Sequence, residues 1–480
     1  MTRRETDLLG SLEVPAQAYY GIQTQRAIEN FNISGVKLFQ FPELIRALAQ
    51  VKWASARANY KLGLLNKEVV YAIVDACREV AEGKFDREFP VDMMQGGAGT
   101  SCNMNANEVI ANRALELLGF QKGEYAHCSP NDHVNLSQST NDVYPTAIKL
   151  AIYNSNIGLM KSVESLADAF SAKAEDLRRV LKMGRTQLQD AVPMTMGQEF
   201  GAFAETIREE MAQLERAAHD FLETNMGATA IGTGLNAVPG YAQLCAQKLE
   251  KVTGHKFVSA PNLVEATPDT GSLVSYSSAL KRLAVKLSKI CNDLRLLSSG
   301  PRTGFFEINL PAMQPGSSIM PGKVNPVIPE VMNQICFRVI GNDTTVTFAA
   351  EAGQLQLNVM EPVMVYSILE SVMLLQNGME TLRTKCVEGI TANESHTRDQ
   401  VLGSIGIVTA LNPYIGYKKA TEIARDALET GRGVYELVLE RGYMTREKMD
   451  EVLDPVHMLS PKPIETSQSE VLGPESPTEK

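Results

Sequence analysis

The sequence has little of three features that define large classes of proteins. Among its 480 residues, Lys and Arg number 46 against 56 Asp and Glu, so the net charge is −10 and there is no basic excess of the kind that favours nucleic-acid binding. No uninterrupted apolar run is long enough to cross a bilayer, which argues against a membrane-spanning helix. No apolar stretch follows the basic start at residues 1–7, so no signal peptide is predicted and we expect a cytoplasmic protein.

Cysteine and histidine are few and scattered. The seven cysteines include no C-x-x-C pair, which argues against a disulfide framework and a zinc site and indicates reduced thiols. Six dispersed histidines predict no histidine-based metal site. The cysteines are Cys77, Cys102, Cys128, Cys245, Cys291, Cys336 and Cys386.

Nucleotide-binding signatures are missing as well. The pattern G-x-x-x-x-G-K-[ST] does not occur. The stretch Gly232-Thr233-Gly234 lacks both the G-x-G-x-x-G spacing and a preceding strand. These absences argue against a P-loop and against a dinucleotide-binding fold.

Helical periodicity is the strongest positive signal. Apolar residues recur at steps of three and four over 280–297, 148–170 and 365–382, which places each set on one stripe of a helix. Asp142 and Pro145 mark the start of the second of these helices. The stretches 193–226 and 326–356 also predict long helices, whereas strand-like alternation is rare. The pattern predicts an all-α protein built on a bundle of long helices.

Changes in composition suggest three segments. Residues 1–140 have shorter apolar runs and predict an N-terminal α domain, residues 141–392 carry the long-helix bundle, and residues 393–480 form a small C-terminal α domain. Within the last segment, 431–454 reads as helix, turn and helix. The tail from about 460 is rich in Pro, Ser and Glu, so we expect it to be disordered. Long amphipathic helices also favour a symmetric homo-oligomer.

Polar islands interrupt this helical background. They are residues 96–103, 137–142 and 316–326, with a weaker fourth at 184–190. Each precedes a predicted helix, and a Gly- or hydroxyl-rich loop at a helix N-terminus offers free N–H groups and a favourable dipole to an anion such as a dicarboxylate. Any single island is also consistent with ordinary helix capping or a glycine turn.

The islands also carry a family resemblance. The loop GSSIMPGKVNP at 316–326 resembles the signature loop of the fumarase/aspartase superfamily. GGAGTSCNMNANEVIANRALE, from Gly96, and SQSTNDVYPTAIKLA, from Ser137, resemble two further regions shared by that family. The resemblance extends from about Asp7 to about Pro455 and is strongest to the aspartase branch.

The resemblance implies a fold and an assembly. Members of this family are all-α in three domains with a central bundle of five long helices. Four chains pair their bundles into a twenty-helix core, and three chains meet at each active site. A homotetramer with composite active sites is therefore expected here, with a small-molecule substrate and with neither nucleic acid nor a membrane as a partner.

The resemblance also implies a reaction, the reversible elimination of ammonia from L-aspartate to give fumarate through an aci-carboxylate intermediate. It assigns Ser317 as the general base. The ligands that it implies for the β-carboxylate are Thr100, Ser139, Thr140 and Ser318. Those for the α-carboxylate are Lys323 and Asn325. It implies that Asn141 and Thr186 contact the ammonium group, with Gln187 beside them. No cofactor or metal site is implied, although activation by a divalent cation stays open.

Gln187 distinguishes two branches of the family. Class II fumarases carry a histidine after Gly-Arg-Thr, and glutamine has no titratable proton, so this position favours the ammonia-lyase over the hydratase. A catalytically silent structural protein is disfavoured by the intact loop from Ser317 to Asn325. A lyase acting on 3-substituted aspartates stays open, because small changes in a pocket would leave little trace in the sequence.

Overall fold

The computed structural model describes residues 1–454 and is mostly helical, as the periodicity predicts. Five long helices dominate it: α5 Thr140–Asp176, α6 Met196–His219, α9 Gly271–Leu297, α10 Val327–Glu351 and α11 Glu361–Lys385. The remaining helices are α1 Ile22–Asn30, α2 Pro42–Lys61, α3 Lys67–Ala81, α4 Thr100–Leu117, α7 Tyr241–Thr253, α8 Leu263–Ala266, α12 Glu394–Gly403, α13 Val408–Ile415, α14 Tyr417–Thr430, α15 Val434–Glu440 and α16 Arg446–Val452.

Four two-stranded sheets accompany the helices among residues 1–454. Three are antiparallel, namely β1 Thr2–Asp7 with β2 Gly10–Pro15, β3 Leu181–Thr186 with β4 Gln189–Thr195, and β7 Ile308–Asn309 with β8 Thr391–Ala392. The fourth pairs β5 Glu223–Thr224 with β6 Val258–Ser259 in parallel. These sheets are too short to change the fold class.

Two helix boundaries differ from the sequence prediction. The stretch predicted to be helical from 193 begins instead in strand β4, and its helix ends at His219 rather than near 226. Helix α5 begins at Thr140, so Pro145, which was predicted to mark its start, is the sixth residue of the helix. Its missing N–H would leave the Asn141 carbonyl without a donor, and the Asn225 side-chain amide donates to that carbonyl instead, at 3.0 Å. The helix–turn–helix predicted for 431–454 is confirmed as α15 and α16.

The chain divides into two compact units, and each long helix contributes to both. Unit 1 comprises Met1–Ser165, Ile207–Lys289 and Val331–Glu380. Polar contacts join its helices, since Tyr276 of α9 donates to Asn156 of α5 at 2.9 Å and Asn333 of α10 donates to the Ser288 hydroxyl of α9 at 2.9 Å. Neutral polar pairs between apolar stripes fix the register of neighbouring helices.

Unit 2 comprises Leu166–Thr206, Ile290–Glu330 and Thr381–Lys480, of which residues up to 454 are described. It contains a buried cluster of Phe170, Phe200 and Phe203, whose ring centroids lie 5.6–6.1 Å apart. A second core joins α13 to α16. The three-segment division of the sequence stays a prediction, and the predicted disordered tail from about 460 lies outside the described residues.

Among residues 1–454, no helix combines the length and apolar character that crossing a membrane requires. All seven cysteines are buried and none forms a disulfide, in agreement with the prediction of reduced thiols.

Candidate active site

The first polar island forms a glycine turn that starts α4. Gly99 has a φ of 87°, and a Cβ added there would lie 2.2 Å from the ring of the buried Tyr144. Only glycine fits this combination of left-handed backbone and close approach. The turn places Thr100 at the exposed first residue of α4, where its hydroxyl donates to the Gly97 carbonyl at 2.8 Å.

The second island is a reciprocal helix cap at the start of α5. The Ser139 hydroxyl accepts from the Asn141 N–H at 3.2 Å, and Asp142 accepts from the Ser139 N–H at 3.0 Å. This is the hydrogen-bond pattern of a capping box, with aspartate in the place of glutamate. The capping interpretation of this island is therefore correct for Ser139, although its hydroxyl stays half-buried and open to a ligand.

Two residues of this cap are anchored to the segment at 225–230. Asp142 accepts from the N–H groups of Gly227 and Thr229 at 3.1 and 3.0 Å, and its burial raises the pKa of the carboxyl to about 6. Asn141 donates its side-chain amide to the Ala230 carbonyl at 2.7 Å. The Asn141 amide oxygen is thereby held in place as an acceptor for a cationic group.

The first and second islands meet through Asn103. Its amide nitrogen lies on α4, one turn after Thr100, and donates to the Thr140 hydroxyl oxygen at 2.9 Å. The two islands are 40 residues apart in sequence, from Thr100 to Thr140, so the contact is a product of the fold. The contact brings the first turn of α4, which carries Thr100, beside the start of α5, and we refer to Thr100, Ser139 and Thr140 as the hydroxyl-rich surface of unit 1.

The fourth island is a β-hairpin rather than a loop before a helix. Thr186 pairs with Gln189 at the ends of β3 and β4, and the two residues between them, Gln187 and Leu188, have φ values of 55° and 62°. Hairpin turns of two left-handed residues normally use Asn-Gly, because other side chains are strained there. Thr186 and Gln187 are exposed at this strained tip.

Buried ion pairs hold the base of the hairpin. Glu307 has no exposed surface, and its carboxylate contacts Lys182 at 2.9 Å and also pairs with Arg185. Lys182 makes a second pair with Glu199 at 2.7 Å. The Arg185 guanidinium lies 4.3 Å from the centre of the Phe305 ring. Thr186 thus follows directly on a residue that is fixed by charge and by stacking.

The third island is a loop closed on itself. The Gly316 N–H donates to the Lys323 carbonyl at 2.8 Å, and the Asn325 amide donates to the Gly316 carbonyl at 2.8 Å. A Cβ at Gly316 would lie 2.7 Å from the Lys323 carbonyl oxygen, so the closure requires glycine. The loop ends where α10 begins, and the Lys323 side chain is exposed.

Within this loop, backbone amides converge on the Ser317 hydroxyl. Its oxygen accepts from the N–H groups of Ile319 and Met320 at 3.2 and 3.0 Å. Hydrogen bonds donated to an oxygen favour its anionic form. Ser317 is half-buried, and Ser318 beside it is exposed.

Each unit therefore collects part of the predicted set. Unit 1 holds Thr100, Ser139, Thr140 and Asn141, whereas unit 2 holds Thr186 and Gln187 on the hairpin and Ser317, Ser318, Lys323 and Asn325 on the loop. Sequence reasoning missed the supporting residues Asn103 and Glu307. Asn103 could have been predicted, because it lies inside the first island, but no local sequence pattern distinguishes Glu307.

A metal site is not evident in the described part of the chain. Across residues 1–454, no group of three or more His, Cys, Asp and Glu side chains is arranged to hold an ion. The expectation that no cofactor is needed stays a prediction.

Comparison with known proteins shows that the chain is similar to a family of lyases. A family model described as "Lyase" matches residues 10–341, and one described as "Fumarase C C-terminus" matches residues 407–460. The chain is 60% identical to an aspartate ammonia-lyase of Pseudomonas canavaninivorans over 461 residues, covering 96% of this chain and 97% of that one. It is 57% identical to an aspartate ammonia-lyase of Helicobacter pylori, over 96% of this chain and 98% of the relative.

A solved structure agrees with the fold. The crystal structure of a Brucella melitensis protein described as "fumarate lyase:delta crystallin", bound to cobalt, superposes with a TM-score of 0.93 at 55% identity. The match covers 96% of this chain and 100% of that one. The predicted all-α fold of this family is confirmed, whereas the twenty-helix tetramer core stays a prediction.

Proposed function

Since the chain belongs to the fumarase/aspartase superfamily of lyases, we propose that it is an aspartate ammonia-lyase, a carbon–nitrogen lyase that converts L-aspartate reversibly to fumarate and ammonia. The observation that carries this proposal is that the chain is 57–60% identical, over 96% of its length, to enzymes of that name. Gln187 at the hairpin tip supports the ammonia-lyase over the hydratase, because glutamine cannot shuttle the proton that a histidine would.

We infer that Ser317 is the general base. Removing the proton beside the β-carboxylate produces a carbanion, which delocalises into an aci-carboxylate with extra negative charge. A serine hydroxyl is a weak base unless its alkoxide is stabilised. Two amide donors to Ser317 Oγ and the Lys323 charge on the same loop are suited to that task.

The hydroxyl-rich surface of unit 1 suits the β-carboxylate. Thr100 lies at the first residue of α4 and Thr140 at the first residue of α5, where helix N-termini favour anions. We assign Thr100, Ser139, Thr140 and Ser318 to this carboxylate. Hydroxyl donors that hold the developing charge more tightly than the ground state lower the barrier of the elimination, and Thr100 joins them by turning its proton away from the Gly97 carbonyl.

The remaining ligands serve the other end of the substrate. We assign Lys323 and Asn325 to the α-carboxylate, since Lys323 supplies a full charge and Asn325 retains a second amide proton after closing the loop. Asn141 and Thr186 contact the ammonium group, and Gln187 lies beside it. Asn141 fits this role because its amide nitrogen is engaged and its oxygen is the free acceptor.

We further propose a homotetramer with composite active sites. One face of α10 is exposed and uncharged, and it runs through Phe337, Gly341, Thr344 and Phe348. Phe337 and Phe348 are 62% and 70% exposed. An exposed, uncharged face with two large aromatic side chains indicates a protein interface, and Gly341 allows close helix approach. The buried cysteines, none of them in a disulfide, support action in a reducing compartment, the cytoplasm.

The first experiment is ultraviolet detection of fumarate from the purified protein with L-aspartate and, separately, with L-malate. Fumarate from aspartate alone is expected. Fumarate from malate would favour the hydratase instead and would show that Gln187 does not exclude it. If both stay silent, 3-substituted aspartates are assayed next, and silence there too would favour a catalytically silent structural protein.

Ser317→Ala tests the mechanism. We expect turnover to fall by at least a thousand-fold, because no other group on the loop replaces the base, while fumarate binding and the assembly persist. Calorimetric titration with fumarate and light scattering check these two controls. Near-normal turnover would remove Ser317 as the base without affecting the assignment of the reaction.

A further inference from the structure

A fully buried lysine contacts the segment that leads into the second island. Lys52, on α2, has no exposed surface. Its ammonium donates to Asn135 Oδ1 at 2.8 Å and to Gln138 Oε1 at 3.0 Å, both oxygens of neutral amides. Burial lowers the pKa of Lys52 to about 7, and the charge of Asp142 opposes that shift. A buried ammonium held by neutral groups costs stability, so its presence calls for a reason.

Lysine fixes the direction of the hydrogen bonds around it. In its ammonium form, which the charge of Asp142 favours, Lys52 has donors only, so the Asn135 side chain must turn its oxygen toward it. Asn103 and Asn107 of α4 donate to that same oxygen at 3.3 and 3.1 Å. Asn103 therefore directs its NH₂ group, rather than its oxygen, into this cluster. Its second proton goes to the Thr140 hydroxyl oxygen at 2.9 Å.

The direction of this last bond decides what Thr140 offers to a ligand. A hydroxyl has one proton, and here its oxygen already accepts from Asn103. The Thr140 proton is thus left to be donated elsewhere. If Asn103 presented its oxygen instead, the Thr140 hydroxyl would turn its proton inward and would face a carboxylate with lone pairs.

We propose that Lys52 is a positioning residue that sets the polarity of the Asn135–Asn103–Thr140 hydrogen bonds, so that Thr140 donates its proton to the substrate carboxylate. The proposal rests on the proposed function, in which Thr140 binds the β-carboxylate. Lys52 touches no reacting atom in this scheme and acts only through the two asparagines.

Residues 134–138 are also held by hydrogen bonds that do not involve Lys52, so a Lys52 variant is expected to fold. Gln138 donates to the carbonyls of Val134 and Leu136, each at 3.0 Å. Asn59, also on α2, donates to the Leu136 carbonyl at 2.8 Å. These bonds hold the backbone without Lys52, so its loss should change the polarity of the cluster more than its position.

A double-mutant cycle between Lys52 and Thr140 tests the proposal, because residues that act through one another have non-additive effects. We expect Lys52→Met to lower kcat/KM for aspartate at least ten-fold in the wild-type background, mostly through a higher KM. In the Thr140→Val background the same change should cost less than two-fold, since the hydroxyl it orients is gone. Equal fold losses in both backgrounds would overturn the proposal.

Two further variants separate polarity from stability. Lys52→Arg keeps a side chain with donors only, and we expect it to recover most of the activity lost in Lys52→Met. Val51→Ala removes buried methyl groups from the same helix without touching the cluster. It should lower the melting temperature but show the same small activity change in both backgrounds. An arginine variant that folds yet is as impaired as the methionine variant would contradict the proposal.

Fumarate affinity can be measured without turnover, so it tests the role of Lys52 separately from the proposed reaction. If the wild-type protein does not turn over aspartate, the proposed function fails. The same four proteins of the cycle are then compared by calorimetric titration with fumarate. A ten-fold loss of affinity confined to the background with Thr140 would still support the polarity proposal, whereas additive losses, or no fumarate binding by the wild type, would overturn it.

Discussion

Replacing Glu307 by Gln is expected to destabilise the protein and to loosen the hairpin that carries Thr186 and Gln187. The Glu307 carboxylate has no exposed surface and faces Lys182 at 2.9 Å, with Arg185 as its second partner. Glutamine keeps the shape and removes the charge. Two largely buried cations then lose their shared counter-ion.

The size of the loss follows from what the cations retain. Breaking a buried ion pair costs about 3–5 kcal/mol. Lys182 keeps Glu199 at 2.7 Å and Arg185 keeps the Phe305 ring at 4.3 Å, so the lower end, about 3 kcal/mol, is expected. An unfolding entropy of about 2 cal/mol/K per residue gives about 1 kcal/mol/K for a chain of this length, so the melting temperature should fall by about 3 °C.

Scanning calorimetry at one protein concentration measures this shift, with Glu199→Gln as the matched control. The Glu199 side chain is 20% exposed, and its loss leaves Lys182 paired with Glu307, so a shift of less than half that of Glu307→Gln is expected. The kcat/KM for aspartate should fall with Glu307→Gln, because the tip residues lose their support. A Glu307→Gln protein as stable as the wild type, or a control that costs as much, would refute the reasoning.

Three other substitutions test separate features. Gly99→Ala should cost more than about 2 kcal/mol in a thermal melt, because the added Cβ meets the Tyr144 ring at 2.2 Å; a neutral result would contradict the packing. Leu188→Gly should raise the melting temperature, since it relieves about 1 kcal/mol of left-handed strain; no gain would mean that the exposed leucine packs elsewhere. Burial raises the pKa of Glu361 from 4.5 to about 8, so the carboxyl ionises in the unfolded chain before it does in the folded protein, and the wild type loses stability as pH rises between those values. The melting temperature of Glu361→Gln should therefore exceed that of the wild type by a margin that grows toward pH 8. Parallel melting curves across this pH range would argue against this.

Local patterns predicted the helices well because burial follows the 3.6-residue period. The stripe at 280–297 becomes the last two-thirds of α9, which ends at Leu297 just before Gly300 and Pro301. The first three islands lie immediately before or at the start of α4, α5 and α10, because glycine turns and helix caps depend on neighbouring residues alone.

The hairpin at 181–195 was not predicted, for a physical reason. Its turn has Gln187 and Leu188 where the sequence signal would be Asn-Gly, so the local preference opposes the observed backbone. The contacts that overcome this preference come from Glu307, 120 residues beyond the tip. Likewise, nothing near Lys52 in sequence reveals that its partners are Asn135 and Gln138.

The buried ion pairs at the base of the β3–β4 hairpin account for the strained backbone at its tip. Backbone strain persists only where the surrounding structure over-determines it. The register of β3 and β4 and the Arg185–Glu307 pair do this from both sides of the turn. A glycine at the tip would satisfy the turn with less strain but would leave Gln187 or its neighbour free to rotate. These contacts give Thr186 and Gln187 a fixed direction, which is what their proposed place at the substrate's ammonium group requires.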